Sequence, residues 1–327
     1  MPTESQNPNN AAPTRMPALF YIVVCISLCG LVSFFAVFTY LDHRALAEET
    51  QLAAAAHTDP FASLVIEAQA AFVVDLKSGR VLYQKNPDVQ LPLASITKVP
   101  LALVVAGELT TDSIVTIPFD TAPAGSRERL ARGEKWRVGD IITFTLVSSS
   151  NDGAKILAYA ANAAVRNHSP EAPKGEHGDE ATIWQMNNLA RKLGLTETYF
   201  LNSSGLDIST TQSGAYGSAR DVAHIFAYAA SSSPDLFSGT TRDGLLLSDE
   251  NGHTTRASNT NEALGEIPGL IMGKTGFTDL AGGNLAVVFD VGLARPVVAV
   301  VLGSGYEGRF SDMEKIVSRT REAIAQE

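Results

Sequence analysis

Between Ala18 and Leu41 the chain carries no charged residue: the stretch reads ALFYIVVCISLCGLVSFFAVFTYL. A helix of that length covers the roughly 30 Å hydrocarbon core of a bilayer, where every backbone amide must find its partner within the segment. Residues 18–41 therefore predict a transmembrane anchor, and whatever chemistry the chain performs falls to the residues that follow. Residues 1–17 are short and polar and read as a cytoplasmic tail, although Arg15 on one side and His43 and Arg44 on the other give little charge bias. A cleaved signal peptide is the alternative, since Ala45-Leu46-Ala47 resembles a small-x-small cleavage site, but its apolar region usually runs to about 7–15 residues. Residues 42–60 are Ala-rich without the apolar spacing of a core element and read as a linker to a globular domain at 61–327.

Charge and cysteine usage narrow the chemistry of that domain. A net charge of −10 with no Lys/Arg cluster argues against nucleic acid as a partner, because phosphate binding needs a basic patch. The two cysteines, Cys25 and Cys29, lie in the apolar stretch. No disulfide or thiolate metal site is then available to the globular part, and no metal is expected there.

The order of patterns points to an α/β fold. Ala70–Asp75 and Arg80–Tyr83 are strand-like runs around a Gly79 turn, a β-hairpin. Helical spacing follows over Ile141–Ala161, Ile183–Leu193 and Ala219–Ala230, separated by Gly/Pro/Ser loops. Strand patterns return at Leu245–Ser248, Thr254–Ser258, Leu280–Asp290 and Pro296–Leu302, before an amphipathic helix over Asp312–Ala325. Strands at both ends must pair across the helical block. The expectation is a mostly antiparallel sheet built from both ends of the domain, with an inserted helical lobe and a cleft at the junction.

Three short motifs stand at element boundaries. In Ser95-Ile96-Thr97-Lys98 a helix would place hydroxyl and amine on one face, and the apolar run after it would bury the lysine and lower its pKa enough to act as a base. Ser149-Asn151, between two helical segments, sets a hydroxyl and an amide pointing one way into a cleft; a helix N-cap is the plainer reading of the same residues. Lys274-Thr275-Gly276 offers a cation and a hydroxyl suited to a carboxylate. Its rival reading, a phosphate loop, fails because Gly269 to Lys274 is one residue short and the motif opens onto a strand rather than a helix N-terminus.

In this order the three motifs resemble the active-site signature of penicillin-binding proteins and serine β-lactamases, and most closely that of the D-alanyl-D-alanine carboxypeptidases among the low-molecular-weight penicillin-binding proteins. The resemblance covers about residues 66–305 and includes Ser78–Tyr83, Ser204-Gly205-Leu206-Asp207, Ser218–Asp221 and Asn259–Asn261. It implies a β-lactamase/DD-peptidase-like fold and a penicillin-inhibited serine peptidase acting on peptidoglycan stem peptides that end in D-Ala-D-Ala, on the outer side of the bacterial cell membrane. By that resemblance Ser95, Lys98 and Ser149 are catalytic, and Asn151, Lys274, Thr275, Gly276 and Phe277 bind substrate. The N–H groups of Ser95 and Phe277 form the oxyanion hole, and no cofactor is needed. The alternatives are a DD-endopeptidase, a β-lactamase using Glu180 for deacylation, and a non-catalytic penicillin sensor. Departures from the family pattern are Pro100, which threatens to kink the Ser95 helix, the long polar segment 162–178, which reads as a mobile loop, and the expected lack of a C-terminal β-domain.

Overall fold

The run Ala70-Ala71-Phe72-Val73-Val74 does not alternate between apolar and polar, which marks a strand buried on both faces. In the computed structural model, which describes residues 18–55, 59–122, 126, 129–175 and 178–327, that run is the centre of the domain. The expected tail at 1–17 and residues 56–58 of the expected linker lie outside the described residues. The chain divides into two units at Asp59/Pro60.

The first unit contains helix α1 (Ala18–Ala55), long and apolar enough over Ala18–Leu46 to cross a membrane. It runs past Leu41 through residues read as linker, because Ala, Leu, Glu and Gln in that stretch are strong helix formers.

The second unit follows in chain order. Strands β1 (Ala70–Asp75), β2 (Val81–Lys85) and β3 (Leu91–Pro92) lead to a 3-10 turn (Ala94–Thr97) and α2 (Lys98–Glu108). The helical lobe contains β4 (Ile114–Thr116), β5 (Lys135–Arg137), α3 (Val138–Val147), α4 (Asn151–His168), α5 (Glu180–Lys192), β6 (Tyr199–Phe200), β7 (Ala215–Gly217), α6 (Ala219–Ser232) and α7 (Pro234–Phe237). The chain returns through β8 (Gly244–Ser248), β9 (Thr254–Ser258), β10 (Leu270–Thr278), β11 (Gly282–Asp290), β12 (Pro296–Ser304) and α8 (Gly308–Ala325).

The main sheet has the order β10-β11-β12-β1-β2, antiparallel throughout and built from both ends of the domain, as the sequence predicts. Its central strands alternate between two apolar clusters. Phe72, Val288, Val298 and Val300 face α6, while Val73, Val287, Phe289 and Val301 face α8. Helices on both faces explain the unbroken apolar runs, and the period of two fixes the register, since a one-residue slip would exchange the faces. Strand β10 is left at one edge, with no strand paired to its second side among the described residues.

Segment 162–178 is not the continuous loop that its polarity suggests. Asn162–His168 is the last part of α4, and Val165 and Ala172 pack with Ala181 and Trp184. The apolar stripe that decides this is too sparse in sequence to be read as helical.

Helix α8 is fastened to the chain entering the sheet by one buried carboxylate. Asp312 accepts Glu67 N–H at 3.0 Å, Ala68 N–H at 2.8 Å and Ser304 Oγ at 2.7 Å. An Asp312→Asn variant turns an amide toward these donors and leaves at least one unpaired, so unfolding free energy is expected to fall by roughly 2–4 kcal/mol. Denaturant titration of the detergent-solubilised protein checks this as a lower midpoint at unchanged slope.

Candidate active site

Ser95 does not sit in an α-helix. Ala94 adopts φ +47° and starts the 3-10 turn, and the α-helix begins only at Lys98. With about three residues per turn, positions i and i+3 eclipse, so the Ser95 hydroxyl stacks directly over the Lys98 chain. This also resolves Pro100, which falls in the first turn of α2, where a backbone N–H has no intrahelical acceptor to lose.

The Lys98 side chain is fully buried, and its Nζ lies 2.6 Å from Ser95 Oγ, 2.8 Å from Asn151 Oδ1 and 3.1 Å from the Ser204 carbonyl oxygen. Three acceptors match the three hydrogens of an ammonium. A neutral amine keeps two hydrogens for the Asn151 and Ser204 oxygens and turns its lone pair to the Ser95 O–H. Burial holds the pKa well below 10.5, with the nearby Lys274 charge adding to the effect, and so favours that neutral form.

The Ser149-Asn151 turn joins the two lysines of the site. Ser149 stands at φ +58° between α3 and α4, and Ser150 caps α4 by accepting Gly153 N–H at 3.0 Å. The N-cap reading thus belongs to Ser150, which leaves its neighbours free for other partners. Asn151 reaches Lys98, while Ser149 Oγ accepts from Lys274 Nζ at 2.9 Å.

Lys274, Thr275, Gly276 and Phe277 all lie on the edge strand β10. Lys274 is 2 % exposed, and its pKa is pushed down to about 7, first by burial and then by the positive charge of Arg309. Its Nζ also donates to the Thr275 carbonyl at 2.9 Å, and Thr275 Oγ1 is 2.5 Å from Thr260 Oγ1. A side chain at Gly276 would stand 3.0 Å from the Leu93 carbonyl oxygen and 3.2 Å from Ser95 N, so β10 runs against the turn that carries Ser95 with no side chain between. Phe277 is half-exposed and meets Tyr306 edge-on.

Several residues of the site escape the sequence patterns. Arg309, at the start of α8, is 3 % exposed, lies over the rings of Tyr306 and Phe310, and leaves Nε and Nη1 without a hydrogen-bond partner among the described residues. Asn284, fully buried, ties Pro92 O to β11 at 3.0 Å and accepts Gly303 N–H at 2.8 Å. Only the folded sheet brings residues so far apart in sequence to the cleft; Asn259–Asn261, around Thr260, was the one available signal. Glu180 is taken up locally, accepting Gly178 N–H at 2.9 Å, with Arg166 at 4.0 Å. A cavity of about 440 Å³ between α2, α5 and α6 holds none of the motif residues. The site is recognised by converging side chains, not by volume.

Comparison with known proteins places this geometry among relatives. The D-alanyl-D-alanine carboxypeptidase family profile matches residues 53–305. The D-alanyl-D-alanine carboxypeptidase DacB2 of Mycobacterium tuberculosis is 32% identical over 245 residues, covering 74% of this chain and 77% of that protein. The D-alanyl-D-alanine endopeptidase of Escherichia coli is 28% identical over 258 residues, covering 77% and 76%. Among solved structures, penicillin-binding protein D2 from Listeria monocytogenes in its ampicillin-bound form superposes with a TM-score of 0.63 at 29% identity, covering 79% of this chain and 98% of that one.

Burying two amines leaves a mark on stability. Between pH about 7 and 10.5 an unfolded lysine is protonated while the buried Lys274 is neutral, so the unfolded state binds more protons and stability rises with pH across that window. Replacing the amine by a methionine of similar shape removes this group's contribution. Lys274→Met is expected to show a shallower rise in unfolding free energy than the parent between pH 7 and 10, measured by denaturant titration at a series of pH values.

Proposed function

Since this chain belongs to the D-alanyl-D-alanine carboxypeptidase family of serine peptidases, we propose that Ser95 is its acylated nucleophile and Lys98 the base that activates it. The observation that carries the reading is the 2.6 Å contact between Ser95 Oγ and a fully buried amine whose pKa is held low. Neutral Lys98 takes the hydroxyl proton as Oγ attacks the carbonyl of the penultimate D-alanine of a peptidoglycan stem peptide. A positioned base of this kind supplies about 10²–10⁴ in rate. The tetrahedral oxyanion sits between the N–H groups of Ser95 and Phe277. Ser95 is in the first turn of its 3-10 segment, where N–H groups have no helical acceptor, and Gly276 lets the two strands of backbone meet.

As the intermediate collapses, the proton on Lys98 passes through Ser149 to the departing amine of the last D-alanine. Asn151, its carbonyl engaged by Lys98, turns its amide N–H toward the peptide. The terminal carboxylate lies against Lys274, Thr275 and the unpaired N–H groups of Arg309. An anion there restores the charge on Lys274 that burial and Arg309 suppress. Water then attacks the acyl-enzyme, with neutral Lys98 again the base. A β-lactam enters by the same attack, but its amine stays tethered to the acyl group and remains near the ester. The endopeptidase reading uses the same steps on a cross-link whose leaving amine belongs to a second stem. Helix α1 anchors the chain in the bacterial cell membrane, with residues 60–327 on the outer side, where that substrate is.

Labelled penicillin tests the nucleophile: the parent becomes covalently labelled on the peptide containing Ser95, and a folded Ser95→Ala variant does not. Covalent labelling of that variant would overturn the assignment. The carboxylate role of Lys274 is tested with two peptides, one ending in free D-alanine and one amidated there. Losing a charge-assisted hydrogen bond costs about 1.5–3 kcal/mol, so Lys274→Ala is expected to lower kcat/KM roughly ten- to more than a hundredfold for the free acid and much less for the amide.

A further inference from the structure

One segment of the helical lobe, Ser204-Gly205-Leu206-Asp207, touches three separate parts of the site, and the reaction described above uses only its first residue. The Ser204 carbonyl accepts from Lys98. Gly205, at φ +78°, packs so tightly on the nucleophile turn that a Cβ there would overlap the Ala94 carbonyl oxygen. Asp207 crosses to the sheet, where its Oδ1 accepts Thr278 Oγ1 at 3.0 Å and its Oδ2 accepts Leu280 N–H at 3.2 Å. Base, nucleophile turn and the end of β10 are thereby joined within four residues.

We propose that Asp207 is a positioning residue, which holds the end of β10, and with it the backbone of Phe277, in register with Ser95. The inference rests on the reading of Phe277 N–H as an oxyanion donor. Strand β10 is an edge strand: β11 fixes it on one side, through the pairs Gly276 with Asn284 and Thr278 with Gly282, while on the cleft side Thr240 and Thr260 hold Gly273 and Thr275 and leave the end of the strand to a second constraint. The Asp207 carboxylate supplies that second constraint one residue beyond Phe277. Thr278 carries it into the β10–β11 turn, since its Oγ1 also accepts Ala281 N–H at 3.1 Å.

The segment itself is stiff enough for the task. Asn202 Oδ1 accepts Gly205 N–H at 2.7 Å and Ser204 N–H at 3.2 Å, while its Nδ2 donates to Leu206 O at 2.8 Å. Asp207 therefore pulls β10 toward a turn that is already set against Ala94 and Lys98. An oxyanion donor works only at hydrogen-bond distance from where the charge develops, so a small lateral shift of β10 costs rate while leaving affinity nearly unchanged.

The experiment uses full-length protein in detergent, a fluorescent penicillin, and the variants Asp207→Asn, Thr278→Val and Thr278→Ser. Acylation is followed against penicillin concentration, which separates the saturating rate constant from the half-saturating concentration. Loss of the clasp is expected to lower the saturating rate constant about ten- to a hundredfold in Asp207→Asn and Thr278→Val, with the half-saturating concentration within about threefold. Thr278→Ser keeps the hydroxyl and is expected to recover to within about threefold of the parent. An unchanged rate constant, a loss that falls on the half-saturating concentration, or a failure of Thr278→Ser to recover overturns the proposal. If Asp207→Asn does not fold, the Thr278 pair decides alone. Label found on Ser95 with no change in rate constant sinks the clasp and leaves the nucleophile standing, whereas label found elsewhere in the parent sinks the reading beneath it.

Discussion

An amine withdrawn from water is the condition on which the rest of this structure depends. Lysine in solution is protonated at neutral pH and useless as a base. At Lys98 burial lowers the pKa, and the hydroxyl, amide and carbonyl oxygens around Nζ give it partners that accommodate either protonation state. Removing an ammonium from solvent is costly, and among the described residues no carboxylate pairs with Lys98 to offset it. The fold carries this destabilisation because two apolar clusters on either face of the sheet secure the surrounding elements. A second buried amine at Lys274 adds its own charge to the same effect.

Two of the five non-glycine residues at positive φ among the described residues lie at the site. They are Ala94, next to the proposed nucleophile Ser95, and Ser149, itself proposed for proton transfer, in a conformation that costs on the order of 1 kcal/mol or more. Each is held by tertiary contacts: Ala94 is wedged between Gly205 and Gly276, and Ser149 between two helices, with its hydroxyl on Lys274. Glycine is required at 205 by its φ of +78° and by the Ala94 carbonyl against it. The close approach that these glycines allow is what brings backbone N–H groups of two distant segments to one point.

How far the sequence could be read depended on whether a signal was local. The 3.6- and 2-residue periodicities located the inserted helices and the terminal strands. The helix over Asn162–His168 was hidden because its apolar contacts, Val165 with Ala172 and Ala181, are few and set among polar residues. The 3-10 turn at Ser95 was hidden as well. Gly205, 110 residues downstream in the chain, packs against it, and no local propensity encodes that contact.

By itself, then, the sequence determined the apolar N-terminal helix, the antiparallel sheet made from both ends, and which of its serines, lysines, asparagines and threonines lie at element boundaries beside apolar runs. These follow from short-range periodicity and residue chemistry. Only the tertiary structure decided which oxygens surround the buried Lys98 amine, that Ser149 serves Lys274 while Asn151 serves Lys98, and that Arg309, Asn284 and Asp207 belong to the site at all. The physical reason is that hydrogen bonds and desolvation depend on distances between segments far apart in the chain, which packing of the sheet against the helical lobe sets.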